Sequence, residues 1–126
     1  MTPIETVVEF LQRINEHVAD RLADLMTEDH LFIDSLGNRT HGRETLRTDW
    51  RSYYALCPDY RVSHDEIFEN GNKVAAFGRA GGTMSGKKWQ TPAAWFAVVE
   101  NGLVSEWRVY ADNKPVYDII AGRSSL

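Results

Sequence analysis

One carboxylate stands where this chain could do chemistry. Asp34 follows the apolar run Leu31-Phe32-Ile33 and precedes the turn-forming Ser35-Leu36-Gly37-Asn38, within the stretch LFIDSLGNRTHGRE from Leu31 to Glu44. An acid so placed has two readings. Apolar surroundings raise a carboxyl's proton affinity and make it a general base or an orienting acceptor. Alternatively, it ends a strand and accepts hydrogen bonds from the following turn or from a helix N-terminus.

The other polar candidates are fewer. His17, His30, His41 and His64 lie at no metal-ligand spacing to acids or to cysteine, so no metal site is expected. His41 belongs to the turn into the helix beyond it, and His64, between Val62 and Glu66, could face either side of a strand. Cys57 is the single cysteine. It precedes Pro58 with no basic neighbour and reads as a buried, inert thiol. Gly37, Gly42 and Gly71 read as backbone glycines, with no phosphate loop in view. Four Trp, five Tyr and five Phe fall mostly in the second half. Trp50, Tyr53, Tyr54, Trp95 and Trp107 are the rings that could line an apolar pocket, or else fill a core.

Three helical patterns and five extended ones must position these groups. Thr2-Pro3-Ile4-Glu5 is a capping box with proline at the first helical position. Ile4, Val7, Val8, Leu11, Ile14 and Val18 then recur at helical spacing, predicting a helix over Pro3–His17. A shorter helix is predicted from Asp20 to Met26, ended by Thr27-Glu28-Asp29, and a strand over Leu31–Asp34. A third helix runs from Arg43 to about Leu56, stopped by Pro58. After Pro58, turn signals at Asn70-Gly71-Asn72, Ser85-Gly86-Lys87 and Asn101-Gly102 divide four strands, about 60–69, 73–83, 88–100 and 103–112. Asn113-Lys114-Pro115 opens a short helical end, and Arg123–Leu126 is expected to fray. Helices first and strands last make an α+β domain, with helices on one face of a curved antiparallel sheet. Gly78, Gly81 and Gly82 fit a bend or bulge where that sheet curls into a cone.

Composition narrows the partners. A chain of 126 residues is expected to form one domain, 1–126, with 43% hydrophobic and 25% charged residues. A net charge of -4 gives no basic footprint for nucleic acid or an anionic membrane. No apolar run approaches the roughly 20 residues that span a bilayer. The start MTPIETVVEF lacks the pattern of a signal peptide, so a cytoplasmic location is expected.

The order helix, helix, strand ending F-I-D-S-L-G, then H-G-R-E opening a third helix, then four strands ending E-W-R-V-Y-A-D, resembles the SnoaL-like branch of the nuclear transport factor 2 superfamily. The resemblance covers about Thr2 to Ile120. It implies the cystatin-like α+β barrel, a cone of curved antiparallel sheet roofed by three N-terminal helices, and a homodimer through the outer face of the sheet. Its closest enzymatic parallel is with ketosteroid isomerases. Their E-D-P-x-G followed by H-G-R-E puts the general base on Asp34, with Gly37 and His41-Gly42-Arg43-Glu44 in step. Two oxyanion-hole positions fall on Phe10 and Trp95. Phe10 offers no donor and Trp95 only an indole N–H. The polyketide cyclases and epoxide hydrolases place acids elsewhere, often on the last strand, where this chain has Asp112. Alternation puts Glu106, Arg108, Tyr110 and Asp112 on one face of that strand and Trp107, Val109 and Ala111 on the other. Asp112 therefore points away from a pocket unless a bulge intervenes. Arg79 would be the arginine of an Asp-Arg-Asp arrangement, for which no second well-placed acid is evident.

Two functions remain open, beside a purely structural dimer whose cone Trp95 and Trp107 plug. One is an isomerase- or cyclase-type enzyme acting without cofactor on a small hydrophobic molecule, with Asp34 as catalytic base and Phe10, Trp50, Tyr53, Tyr54, Trp95 and Trp107 as the pocket. The other is a non-catalytic small-molecule-binding or dimeric association module.

Overall fold

The protein's structure, a computed structural model, describes residues 1–112 and 114–122. Helix α1 (Pro3–Glu16) begins as its residues dictate. The Thr2 hydroxyl accepts from the Glu5 amide at 3.2 Å, and the Glu5 carboxylate accepts from the Thr2 amide at 2.8 Å. Val7, Phe10, Leu11 and Ile14 form its buried stripe. The helix stops at His17, whose backbone turns left-handed (φ 63°). The His17 ring then stacks on Tyr54, and its Nε2 lies 2.6 Å from the Tyr60 carbonyl oxygen. Helix α2 (Ala19–Ala23) is short, and α3 (Arg43–Leu56) runs to the cap at Cys57.

The chain between α2 and α3 differs from the expectation. Strand β1 spans Met26–Ile33 and β2 spans Arg39–His41, paired antiparallel with Leu31 opposite His41. Met26 therefore opens a strand rather than ending a helix, and Thr27-Glu28-Asp29 is extended. Asp34 follows the strand and begins the turn between β1 and β2. Strands β3 (Arg61–Asn70), β4 (Lys73–Met84), β5 (Lys87–Glu100) and β6 (Leu103–Ala111) form the expected meander. The sheet has six strands in the order β2-β1-β6-β5-β4-β3. Every pair is antiparallel except β1 with β6, which run parallel.

The sheet curves without closing, and β2 and β3 are its edges. Two bulges bend it. Asp65 is the extra residue of β3, between the pairs His64–Gly78 and Glu66–Phe77. Ser105 is the extra residue of β6, between the pairs formed by Val98 and Val99. A bulge shifts side-chain alternation by one, which is why Val104 and Trp107, three apart, both turn inward. Strand β5 alternates without fault: Trp89, Thr91, Ala93, Trp95, Ala97 and Val99 are buried on one side. The helices pack against that inner face. Asn15 of α1 clasps Val62 of β3 through both amide nitrogen and amide oxygen at 2.8 Å each. The Tyr54 hydroxyl of α3 donates to the Ile14 carbonyl at 2.8 Å. Helix α4 (Lys114–Ile120) buries Val116 and Ile119 against the sheet. Arg123–Leu126 lie outside the described residues. No helix among the described residues is long and apolar enough to cross a membrane.

Candidate functional site

Between α3 and the concave face of the sheet lies a cavity of about 370 Å³. Helix α3 supplies Leu46, Asp49, Trp50 and Tyr53, spaced so that one helical stripe faces the cavity. The sheet supplies Phe32, Ala80, Trp89, Trp95, Trp107, Val109 and Ala111, and Tyr60 stands just before β3. All four tryptophans of the chain line it. The rings touch in series: Trp50 meets Phe32, Tyr53 and Tyr60, and Tyr60 meets Trp89. Trp95 stacks on Trp107 with centroids 6.4 Å apart. These indoles wall the space without filling it.

Polar side chains enter from few places: Asp34 and Ser35 from the β1–β2 turn, Thr40 from β2, and Asp49 from α3. Asp34 is half-buried and holds its own turn. Its Oδ1 accepts from the amides of Leu36 and Asn38 at 2.9 Å each, and its Oδ2 accepts from the Asn38 side chain at 3.1 Å. A carboxylate has about four lone-pair sites, so three bonds leave roughly one for anything else. Asp49 is exposed and makes no hydrogen bond or ion pair among the described residues. Burial pushes the Tyr60 hydroxyl far above the usual phenol range, so it remains a protonated donor. Trp107 is 1% exposed, and its indole N–H has no partner among the described residues.

Trp50, Tyr53, Trp95 and Trp107 thus come together around one space with Asp34. Phe10 and Tyr54 lie elsewhere. Phe10 is wholly buried behind Trp107, with ring centroids 4.5 Å apart, and Tyr54 is tied to Ile14 and His17. Strand β6 divides as alternation requires. Trp107, Val109 and Ala111 line the cavity, while Glu106 and Arg108 pair at 2.6 Å away from it. Asp112 is exposed and caps the Lys114 amide. Arg79 sits in a separate outer groove with Arg61 and Lys88. Asp49, Tyr60 and Trp89 were not anticipated. For Asp49 the available signal was its position on the α3 stripe, three residues after Leu46 and four before Tyr53. No group of three or more His, Cys, Asp or Glu among the described residues could hold a metal ion.

A family model described as SnoaL-like domain matches residues 7–107. No curated protein matches the chain. Solved structures match it in fold. A candidate SnoaL-like polyketide cyclase from Shewanella putrefaciens is 16% identical, with a TM-score of 0.82, covering 96% of this chain and 86% of the other. An LEH-like epoxide hydrolase from M. tuberculosis is 21% identical, with a TM-score of 0.80 and coverage of 95% and 87%. A protein of ketosteroid isomerase-like fold from Catenulispora acidiphila, solved in complex with trimethylamine, is 19% identical, with a TM-score of 0.79 and coverage of 87% and 86%. At such identities the likeness is one of fold, and this fold carries several chemistries.

Proposed function

The chain belongs to the SnoaL-like domain family, and from that premise we propose that it takes a small, largely apolar, ring-bearing molecule into its cavity. The observation that carries this reading is the lining itself. A space of about 370 Å³ is walled by seven aromatic residues, with the short polar side chains of Asp34, Ser35, Thr40 and Asp49 drawn from the β1–β2 hairpin and α3. Apolar walls with a few convergent polar groups are the general form of a small-molecule site. The first form of the proposal is an enzyme that moves a proton on a carbonyl-bearing ligand without cofactor. Asp34 is its base, and the unpartnered Trp107 N–H is a donor for the carbonyl oxygen.

A second form is favoured by the three hydrogen bonds on Asp34. A carboxylate committed to its turn orients a ligand without chemistry, and the protein is then a binding module. One experiment separates the two. A panel of small ring ketones is titrated by tryptophan fluorescence and assayed for isomerisation, with wild type and Asp34→Asn. The enzyme form expects turnover that falls by roughly 10² or more in the variant. Binding without turnover, equal in both proteins, leaves the binding module. No saturable binding by any of the panel removes the pocket reading.

The proposal extends to a cytoplasmic homodimer through the outer face of the sheet. Phe68, Phe77 and Tyr110 are 59%, 44% and 54% exposed there, an apolar surface of the kind that subunit contacts cover.

A further inference from the structure

The cavity's lining is unbalanced in charge. It includes two carboxylates, Asp34 and Asp49, and among the described residues no Lys, Arg or His. The nearby arginines of α3 are engaged elsewhere: Arg47 pairs with Asp20 and Glu44, and Arg51 with Asp20. The two acids are not equivalent. Asp34 spends its lone pairs on the turn, whereas Asp49 has no partner. Asp49 also occupies a position where helix amphipathicity calls for an apolar residue, since Leu46, Trp50 and Tyr53 share its stripe. An unpaired carboxylate in a cavity lined by indole and phenol rings is a setting that favours a cation, because the acid supplies charge and the rings supply their negative quadrupole faces.

A second feature of the lining is independent of charge. Trp107 is buried with its N–H unsatisfied, and buried donors in folded proteins are nearly always paired. An acceptor on a ligand's apolar body would complete it, and the two probes below, which carry none, test the charge alone.

We infer that the occupant is an organic cation, an ammonium or quaternary ammonium on an apolar body, with its charge held at Asp49 and the faces of Trp50 and Tyr53. This rests on the pocket reading above and specifies the ligand's charge. Asp49 is then a specificity-determining residue, distinct from Asp34, which holds the turn or moves a proton.

The test uses benzyltrimethylammonium and its neutral carbon isostere neopentylbenzene, two probes of one shape that differ in charge. Affinities are read by quenching of the four tryptophans and, for the soluble cation, by calorimetry. The cation is expected to bind about tenfold or more tightly than the isostere. In Asp49→Asn that advantage falls to within about threefold while the isostere's affinity is unchanged. Asp49 is exposed and holds nothing else in place, so the variant is expected to fold as wild type, and equal urea midpoints verify it. Equal or tighter binding of the isostere overturns the inference and leaves the pocket reading standing. So does a preference for the cation that survives in Asp49→Asn. Failure of both probes to bind removes the pocket reading and the inference with it.

Discussion

His30 places its Nδ1 2.6 Å from the carbonyl oxygen of Val104, joining β1 to β6 inside the core. A carbonyl only accepts, so Nδ1 carries the proton and Nε2 of the neutral ring is an acceptor. That Nε2 is buried without a partner among the described residues, and the ring stacks on Phe10. Protonation would add an N–H and a charge where nothing receives either. Burial is the largest influence and lowers the His30 pKa from 6.5, against the opposing pull of the Val104 bond and of Asp29 and Glu106.

Stability should therefore depend on pH through His30. Below about pH 6.5 the unfolded chain takes up a proton that the folded chain refuses, so stability falls as pH falls through that value. The depressed carboxylates, Asp20, Glu44 and Asp59 among them, act in a lower window, as pH drops below about 4. Urea midpoints of wild type should drop between about pH 7 and pH 5, and those of His30→Gln should stay flatter over the same range. Parallel curves for the two proteins would remove His30 as the cause.

Gly78 should tolerate no side chain. A Cβ built there collides with the Ser63 carbonyl oxygen and comes within 2.7 Å of His64 Cα. Both are backbone, and both adjoin the Asp65 bulge that bends the sheet. Gly78→Ala must push β3 from β4 and is expected to cost about 3 kcal/mol or more. Gly86 is the control, since a Cβ there meets nothing within 4 Å but the backbone is left-handed (φ 76°). Gly86→Ala should cost about 1–2 kcal/mol. Comparable denaturant midpoints for the two variants would show that the close approach at Gly78 is relaxed at little cost.

The meander was legible because its signals are local. Gly71, Gly86 and Gly102 take φ of 62°, 76° and 76° at the three turns, and β5 shows period-two burial along its whole length. The first half of β1 was not legible. Glu28 and Asp29 are exposed and look like a helix end, and what makes them strand is pairing with β6, Met26 beside Val104, far along the chain. Strand β2 has three residues and no apolar run, so only its partner reveals it. The aromatic wall was half legible for a similar reason. Composition names the rings but not which face they take. Phe10 and Trp107 touch each other, yet only Trp107 reaches the cavity. Asp49 carries no signal in its residue type, and only its spacing from Leu46 and Tyr53 marks it.

Asp34 should matter to the β1–β2 turn whatever else it does. Its carboxylate receives the Leu36 and Asn38 amides and the Asn38 side chain, and its own amide donates to the Asn38 carbonyl at 3.0 Å. Asp34→Ala removes three acceptor bonds from a half-buried turn and is expected to cost about 1–3 kcal/mol. Asp34→Asn keeps one oxygen for the two amides but turns an NH₂ toward the Asn38 NH₂. It should lose the side-chain bond alone, about 1 kcal/mol or less. A double-mutant cycle isolates that bond: Asn38→Ala should destabilise wild type, and add little once Asp34 is Asn. Additive losses across the cycle would mean that the two side chains are uncoupled. An Asp34→Ala protein as stable as wild type would mean that the turn is held by its neighbours. In that case the Asp34 carboxylate is free of structural duty, and its place beside the cavity weighs more heavily toward proton transfer. A loss on the expected scale assigns the acid to the turn first and limits its chemistry to the lone pair that the turn leaves open.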